Sequence, residues 1–216
     1  AHIGHIGSAL SVAEIITALY GHILNIPSPE DPDRDRFILS KGHAALSLYA
    51  VLFLKGWISE SELNTFVSNG SNLGVHPEHV RRGVDFCTGS LGQGLTYGGG
   101  AALAAKLQKS NRRVFVLISD AECNEGSVWE AIMFAAHNEL SNLVAILDLN
   151  GQQALGYTEH VLNMSPMADR WKAFGWQVNE VDGHDVDQIT DTISDLDTLS
   201  GAPHIPFTFG KSALSY

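Results

Sequence analysis

At 216 residues, with 44% hydrophobic and 17% charged side chains, the chain is long enough for one substantial core, and a single α/β domain over residues 1–216 is the simplest count. Its formal net charge is -11, with 24 acidic against 13 basic residues and no Lys/Arg cluster, which argues against nucleic acid as a partner. The longest apolar stretch, 44–54, is well short of the ~18 residues a membrane span needs, so no membrane partner is expected. No charged segment leads into an apolar one as in a secretory signal. Two cysteines, Cys87 and Cys123, make no disulfide framework and suit reduced thiols in a cytoplasmic protein.

In chain order, Ser11-Val12-Ala13-Glu14 has the pattern of a capping box, and the spacing of Val12, Ile15, Ile16, Leu19, Ile23 and Leu24 predicts that one amphipathic helix continues from it. Pro27, Pro29 and Pro32 mark a loop, and Phe37-Ile38-Leu39 reads as a short buried strand. A helix is expected over 44–54, and Ser59 with Glu62 forms a second capping-box start. The glycine-dense run 89–100 leads into small residues suited to close helix packing. Strands are then predicted at 114–118, 143–149 and 177–181, with helices near 126–139, 165–174 and 185–196. Strand and helix alternate as in a doubly wound, mostly parallel sheet with helices on both faces. The helices at 44–54 and 129–138 are apolar on more than one face, more than the outer layer of a monomer needs, so a partner is expected to cover them.

The segment 113–153 carries the most informative pair. Asp120 and Asn150 each follow an apolar run, with a helical segment between the runs. Neighbouring strand ends would bring a carboxylate and a carboxamide together at the sheet edge where open α/β folds bind ligands. Mg²⁺ takes oxygen ligands and commonly only one or two protein carboxylates, with phosphate and water completing its shell. The competing reading is local: Asp120 caps the following helix and Asn150 turns a loop.

Of the ten histidines, three stand beside glycine where the chain turns sharply: His5 in Gly4-His5-Ile6-Gly7, His43 after Lys41-Gly42, and His76 in Gly74-Val75-His76-Pro77. His22, His79, His137, His160, His184 and His204 lack that setting and read as surface or structural residues. No pair has zinc-site spacing. Gly92-Gln93-Gly94 with Gly98-Gly99-Gly100 is not a dinucleotide loop by spacing, and the chain has no phosphate loop of the Gly-x-x-x-x-Gly-Lys-Ser/Thr kind and no Gly-x-Ser-x-Gly elbow.

Taken together, these segments resemble the amino-terminal, diphosphate-binding half of transketolase, and more closely the small subunit of a split transketolase. The matching motifs run in order along nearly the whole chain: GHIGSALS, DRDRFILSKGHA, HPE, GVDFCTGSLGQGL, MADRWKAFGW and VDGHDVDQI. Asp120 and Asn150 lie 30 positions apart (150 minus 120), which suits the family's thiamine-diphosphate fingerprint.

The resemblance implies roles for individual residues. Asp120 and Asn150 would bind Mg²⁺ through side-chain oxygens, and Gln152 through its backbone carbonyl. Gly89, Ser90 and Leu91 would line the aminopyrimidine end of thiamine diphosphate, and Ala121 and Glu122 would join the cofactor-binding set. His43 would approach the diphosphate or the reacting ketose. His5 and His76 would contact substrate hydroxyls and share proton transfers, and Glu125 would connect cofactor sites across a subunit interface. Histidines with pKa values near working pH suit such transfers.

The glutamate that activates the cofactor belongs, in the family, to the pyrimidine-binding half, which these 216 residues do not supply. The resemblance therefore implies an enzyme active only with a pyrimidine-binding C-terminal subunit, in a heterotetramer, transferring a two-carbon ketol unit from a ketose phosphate. Two alternatives stay open: glycolyl transfer to a carrier-protein or lipoyl thiol, with an acyl carrier protein as partner, and a non-catalytic, cofactor-binding regulatory subunit. The chain departs from the family pattern at Ser119-Asp120-Ala121, where the family has Gly-Asp-Gly, and again at 210–216.

Overall fold

The computed structural model describes residues 5–79, 82–196 and 201–210. Five parallel strands form the central sheet: β1 (Arg36–Leu39), β2 (Val114–Ser119), β3 (Leu143–Leu149), β6 (Gln177–Asp182) and β7 (His204–Phe209), in the spatial order β1-β2-β3-β7-β6. A short antiparallel ladder, β4 (Gln152–Gln153) with β5 (Gly156–Tyr157), follows β3 and leads into the single turn α7 (Thr158–Val161). Every residue of β2 is buried, as a strand covered on both faces requires, and the apolar runs of β2 and β3 reflect this.

The strand period of two divides the core. Phe115, Leu117, Val144 and Ile146 pack with helices α2 (Ala13–Ala18), α3 (Ala45–Leu54) and α9 (Val186–Ser194). Val114, Val116, Ile118, Leu143, Ala145 and Leu147 pack on the other face with α5 (Gly94–Leu107), α6 (Gly126–His137) and α8 (Met167–Ala173). The predicted doubly wound α/β architecture is present. Four predicted strands and the helices expected after residue 44 lie within a few positions of their observed ends.

Three local features differ from expectation. Ser11 does not cap a helix: a short α1 (Ile6–Leu10) precedes it, α2 starts from Val12 without a side-chain cap, and the Ser11 hydroxyl is directed into the protein toward Asp148. The expected continuous helix then widens into a π-helical turn at Leu19–Ile23. Finally, β7 occupies a place between β3 and β6 although its sequence, HIPFTF, carries a proline that disfavours a strand. Pro206 lacks an N–H, and the pairing with β3 skips Ile205 and Pro206 while holding at His204 and from Phe207 to Phe209.

The second capping box does form. Ser59 accepts from the Glu62 backbone, the Glu62 carboxylate accepts from the Ser59 backbone N–H, and α4 (Glu60–Leu63) follows. On α6, Val128, Ala131, Ile132 and Ala135 face the core, whereas Met133 and Phe134 are 48% and 42% exposed, so the helix does present a second apolar face. Among the described residues, no helix is long and apolar enough to cross a membrane.

Candidate cofactor and metal site

The C-terminal ends of β2 and β3 lie side by side, with Ser119 in register with Asp148 and the Asp120 backbone N–H donating to the Asp148 carbonyl at 3.2 Å. Asp120 is buried, and its carboxylate accepts from the Ala121 N–H and the Gly151 N–H, both at 2.8 Å. The first bond caps the 3-10 turn Ala121–Asn124, so the local reading of Asp120 holds in part. The second reaches the residue after Asn150 and fastens the two strand ends together. Burial pushes the Asp120 carboxyl up to about 6, with Asp148 adding in the same direction while both backbone donors and Lys41 oppose it. Neither Ser119 nor Ala121 has a positive φ, so the backbone here does not require the family's glycines.

Asn150 is held from one side. Its Nδ2 donates to Asp148 Oδ2 at 3.0 Å and to Ser11 Oγ at 3.2 Å, leaving Oδ1 to accept from the Gln152 N–H at 3.0 Å. Asp148 also accepts from Ser11 Oγ and forms a buried ion pair with Lys41. Sequence patterns single out none of Ser11, Lys41 or Asp148 as a site residue. One signal was available: Asp148 is the only charged residue in the strand LVAILDL.

The three loop histidines converge. His43 lies in the turn Gly42–Ala44, and its ring centroid is 5.3 Å from that of His5. A Cβ on Gly42 would come within 2.8 Å of the Gly89 backbone nitrogen, and one on Gly89 within 2.7 Å of the His76 ring. Glycine therefore lets the 42, 76 and 89 segments close on one another, and Gly89 also has a φ of 126°. Burial, then Lys41, His5 and His76, lower the His43 pKa from 6.5 to about 4, so its imidazole is neutral near pH 7.

The loop after Gly89 is fixed from beneath. Glu122 is fully buried, and its carboxylate accepts from Ser40 Oγ at 2.5 Å and from the Gly92 and Ser119 N–H groups at 3.0 Å. It thus joins the ends of β1 and β2 to the loop, with its carboxylate directed inward. Ser90 and Leu91 are exposed on that loop, and Gly92 packs so closely that a Cβ would meet Glu125 Cβ at 2.6 Å. Glu125 itself is exposed at the start of α6.

Beside Asp120 opens a cavity of about 290 Å³ walled in part by Leu149, Met167, Phe207, Glu159 and Glu180. Of the candidate site residues only Asp120 lines this cavity; Asn150, the loop 89–91 and the histidines lie outside its wall. Asp120 and Asn150 present hard oxygens at adjacent strand ends, and the buried Asp120 carboxylate is a group that a cation stabilises. These oxygens are of the hard kind that could hold Mg²⁺.

Comparison with known proteins bears on the family and the fold. The family described as transketolase, thiamine diphosphate binding domain, matches residues 1–205. A protein of Phocaeicola vulgatus, named as one of the subunits of an apulose-4-phosphate transketolase, is 42% identical over 204 residues, covering 94% of this chain and 73% of that protein. A 6-deoxy-6-sulfo-D-fructose transketolase subunit from a Clostridium species is 40% identical, with 93% and 74% covered. Among solved structures, transketolase from Leishmania mexicana superimposes with a TM-score of 0.82 at 26% identity; the match covers 94% of this chain and 35% of that one. The present chain thus spans about a third of that transketolase.

Proposed function

Because the chain belongs to the transketolase family and comprises its thiamine diphosphate-binding domain, we propose that it is one subunit of a two-chain transferase that moves a two-carbon ketol unit from a ketose phosphate to an acceptor. The observation that carries this reading is the joined end of β2 and β3. Asp120 bonds the Gly151 backbone, and the Asn150 amide is oriented with its oxygen toward the loop. Asp120 and Asn150 would hold Mg²⁺ through side-chain oxygens, with the Gln152 carbonyl as a third ligand, and the cation would bridge to the diphosphate.

When bound, thiamine diphosphate supplies the nucleophilic carbon for this chemistry. The chain's own groups bind, orient and move protons. Gly89, Ser90 and Leu91 form the loop that faces the aminopyrimidine end. A neutral His43 can exchange hydrogen bonds with a sugar hydroxyl without adding charge to a crowded pocket, while His5, its ring 5.3 Å from that of His43, and His76 would contact hydroxyls and share the proton transfers. Glu125, exposed beside the loop, would reach a second subunit.

The names of the two subunit relatives, one for a sulfonated ketose and one for a ketose phosphate, support an anionic ketose as donor. Their naming as subunits further supports a pyrimidine-binding partner chain, and the exposed Met133 and Phe134 support burial of α6 in a heterotetramer. The test mixes this chain and its partner subunit with thiamine diphosphate, Mg²⁺ and a ketose phosphate. Aldose release is expected only with both chains, and Asp120→Ala is expected to abolish Mg²⁺-dependent cofactor binding. Activity from this chain alone, or unchanged binding in the Asp120 variant, would overturn the reading.

A further inference from the structure

The Asp148 carboxylate is reached from three separate parts of the chain. Ser11 lies 137 positions away, Lys41 lies 107 away, and Asn150 is its neighbour but one at the end of β3. The Asp148 and Lys41 side chains are each only 1% exposed. A buried ion pair is weak as a stabilising device, because removing two charges from water offsets much of their attraction and an apolar pair of similar volume often serves as well. Stability alone therefore does not account for a lysine and an aspartate at this spot.

We propose that Asp148 is a positioning residue: it fixes the side-chain amide of Asn150 with its NH₂ toward Asp148 and Ser11 and its oxygen on the side of the Gln152 N–H, and through Lys41 it makes that amide and the histidine turn one rigid unit. The inference rests on the reading of Asn150 as a cation ligand. An unsupported carboxamide can rotate by half a turn and present its NH₂ where a cation needs oxygen. Here the NH₂ group has two acceptors on one side, Asp148 Oδ2 at 3.0 Å and Ser11 Oγ at 3.2 Å. A reversed amide would set its oxygen against a carboxylate and leave those acceptors without their donor. Lys41 directly precedes Gly42 and His43, so its ion pair with Asp148 anchors the histidine turn to the same strand end that carries Asn150. Ser11 adds the chain just after α1, the helix that begins beside His5. Neighbours that orient metal ligands typically change metal affinity by about 10–100-fold when lost.

Two double variants of the full chain separate orientation from burial. K41M/D148N removes both charges but keeps an oxygen that accepts from Asn150, whereas K41M/D148L removes both charges and the acceptor. Thiamine diphosphate binding is followed by calorimetry across a Mg²⁺ series, with a urea midpoint for each protein. K41M/D148L is expected to need at least about tenfold more Mg²⁺ than K41M/D148N for half-saturation, at a similar urea midpoint. Equal Mg²⁺ requirements for the two double variants would overturn the proposal. Absence of Mg²⁺-dependent binding in the wild type would instead overturn the functional reading beneath it. Should K41M/D148L fail to fold, Ser11→Ala deletes one of the two acceptors of the Asn150 NH₂, together with the hydroxyl donor to Asp148. It is then expected to raise the Mg²⁺ requirement roughly threefold or more, and an unchanged requirement overturns the proposal.

Discussion

The His43 imidazole lies with its ring centroid 5.3 Å from that of His5, the two planes tilted by 51°. Burial and the Lys41 charge hold His43 neutral, with a pKa of about 4 in the fold against 6.5 when free. A histidine with a depressed folded pKa binds fewer protons folded than unfolded between those values, so the stability it permits is fully present above pH 6.5 and is lost as pH falls through about 4. Urea midpoints of the wild type should therefore fall between pH 6.5 and 4 more steeply than those of His43→Gln. Ring resonances should show His43 titrating near 4, and higher in Lys41→Met, where a lowering charge is gone. Titration of His43 at its free value would sink the neutral-imidazole role.

Glu122 tests whether the loop 89–94 is held by a carboxylate. Its two oxygens face two hydroxyls and two backbone N–H donors, so Glu122→Gln must turn an NH₂ toward at least one of them. The expected cost is about 1–3 kcal/mol of unfolding free energy, with faster amide exchange at Gly92. A variant as stable as the wild type, with Gly92 still protected, would show that the loop is held by other contacts.

Much of this arrangement was legible in the sequence, and the parts that were not share a cause. Apolar runs and capping signals located four of the five central strands and the later helices, because these depend on neighbours a few residues away. Pro206 concealed β7, since the gap in the β3 ladder that tolerates it is a tertiary property. Ser11 satisfied a local capping pattern, yet a buried carboxylate 137 positions along claimed its hydroxyl. Asp120, Asn150 and the loop histidines showed through their strand-end and glycine settings. The Ser11, Lys41 and Asp148 group did not, because no periodicity encodes a contact between segments over a hundred residues apart.

Ala121 stands where the family has glycine, and the backbone explains why that is tolerated. It lies in a right-handed 3-10 turn with Asp120 at φ -58°, a conformation any L-residue adopts. Ala121→Gly is expected to leave Mg²⁺-dependent cofactor affinity within about twofold and to lower stability by about 0.5–1 kcal/mol through backbone entropy. Calorimetry and urea unfolding measure both. A tenfold gain in affinity would instead mean that the bound state needs a conformation that alanine resists.

Close packing of α5 on the sheet sets the height of the loop that precedes it, and Gly98 is the point of contact. A Cβ there would lie 2.3 Å from Val116 Cγ2 and 3.3 Å from Leu143 Cδ1. Gly98→Ala should therefore cost about 1–3 kcal/mol by overpacking. Val116→Ala removes the obstructing methyl, so the double variant should be more stable than the sum of the single effects predicts by at least about 0.5 kcal/mol. Gly94 offers a contrast: its added Cβ would meet the Ser40 side chain at 2.3 Å and the Ser40 Cα at 2.8 Å, and backbone cannot be trimmed away. Gly94→Ala with Ser40→Gly should thus recover little, the more so because Ser40 also donates to Glu122. Urea unfolding of the two pairs decides the matter: strict additivity at Gly98 and Val116 would mean that α5 shifts freely over β2 and does not fix the loop.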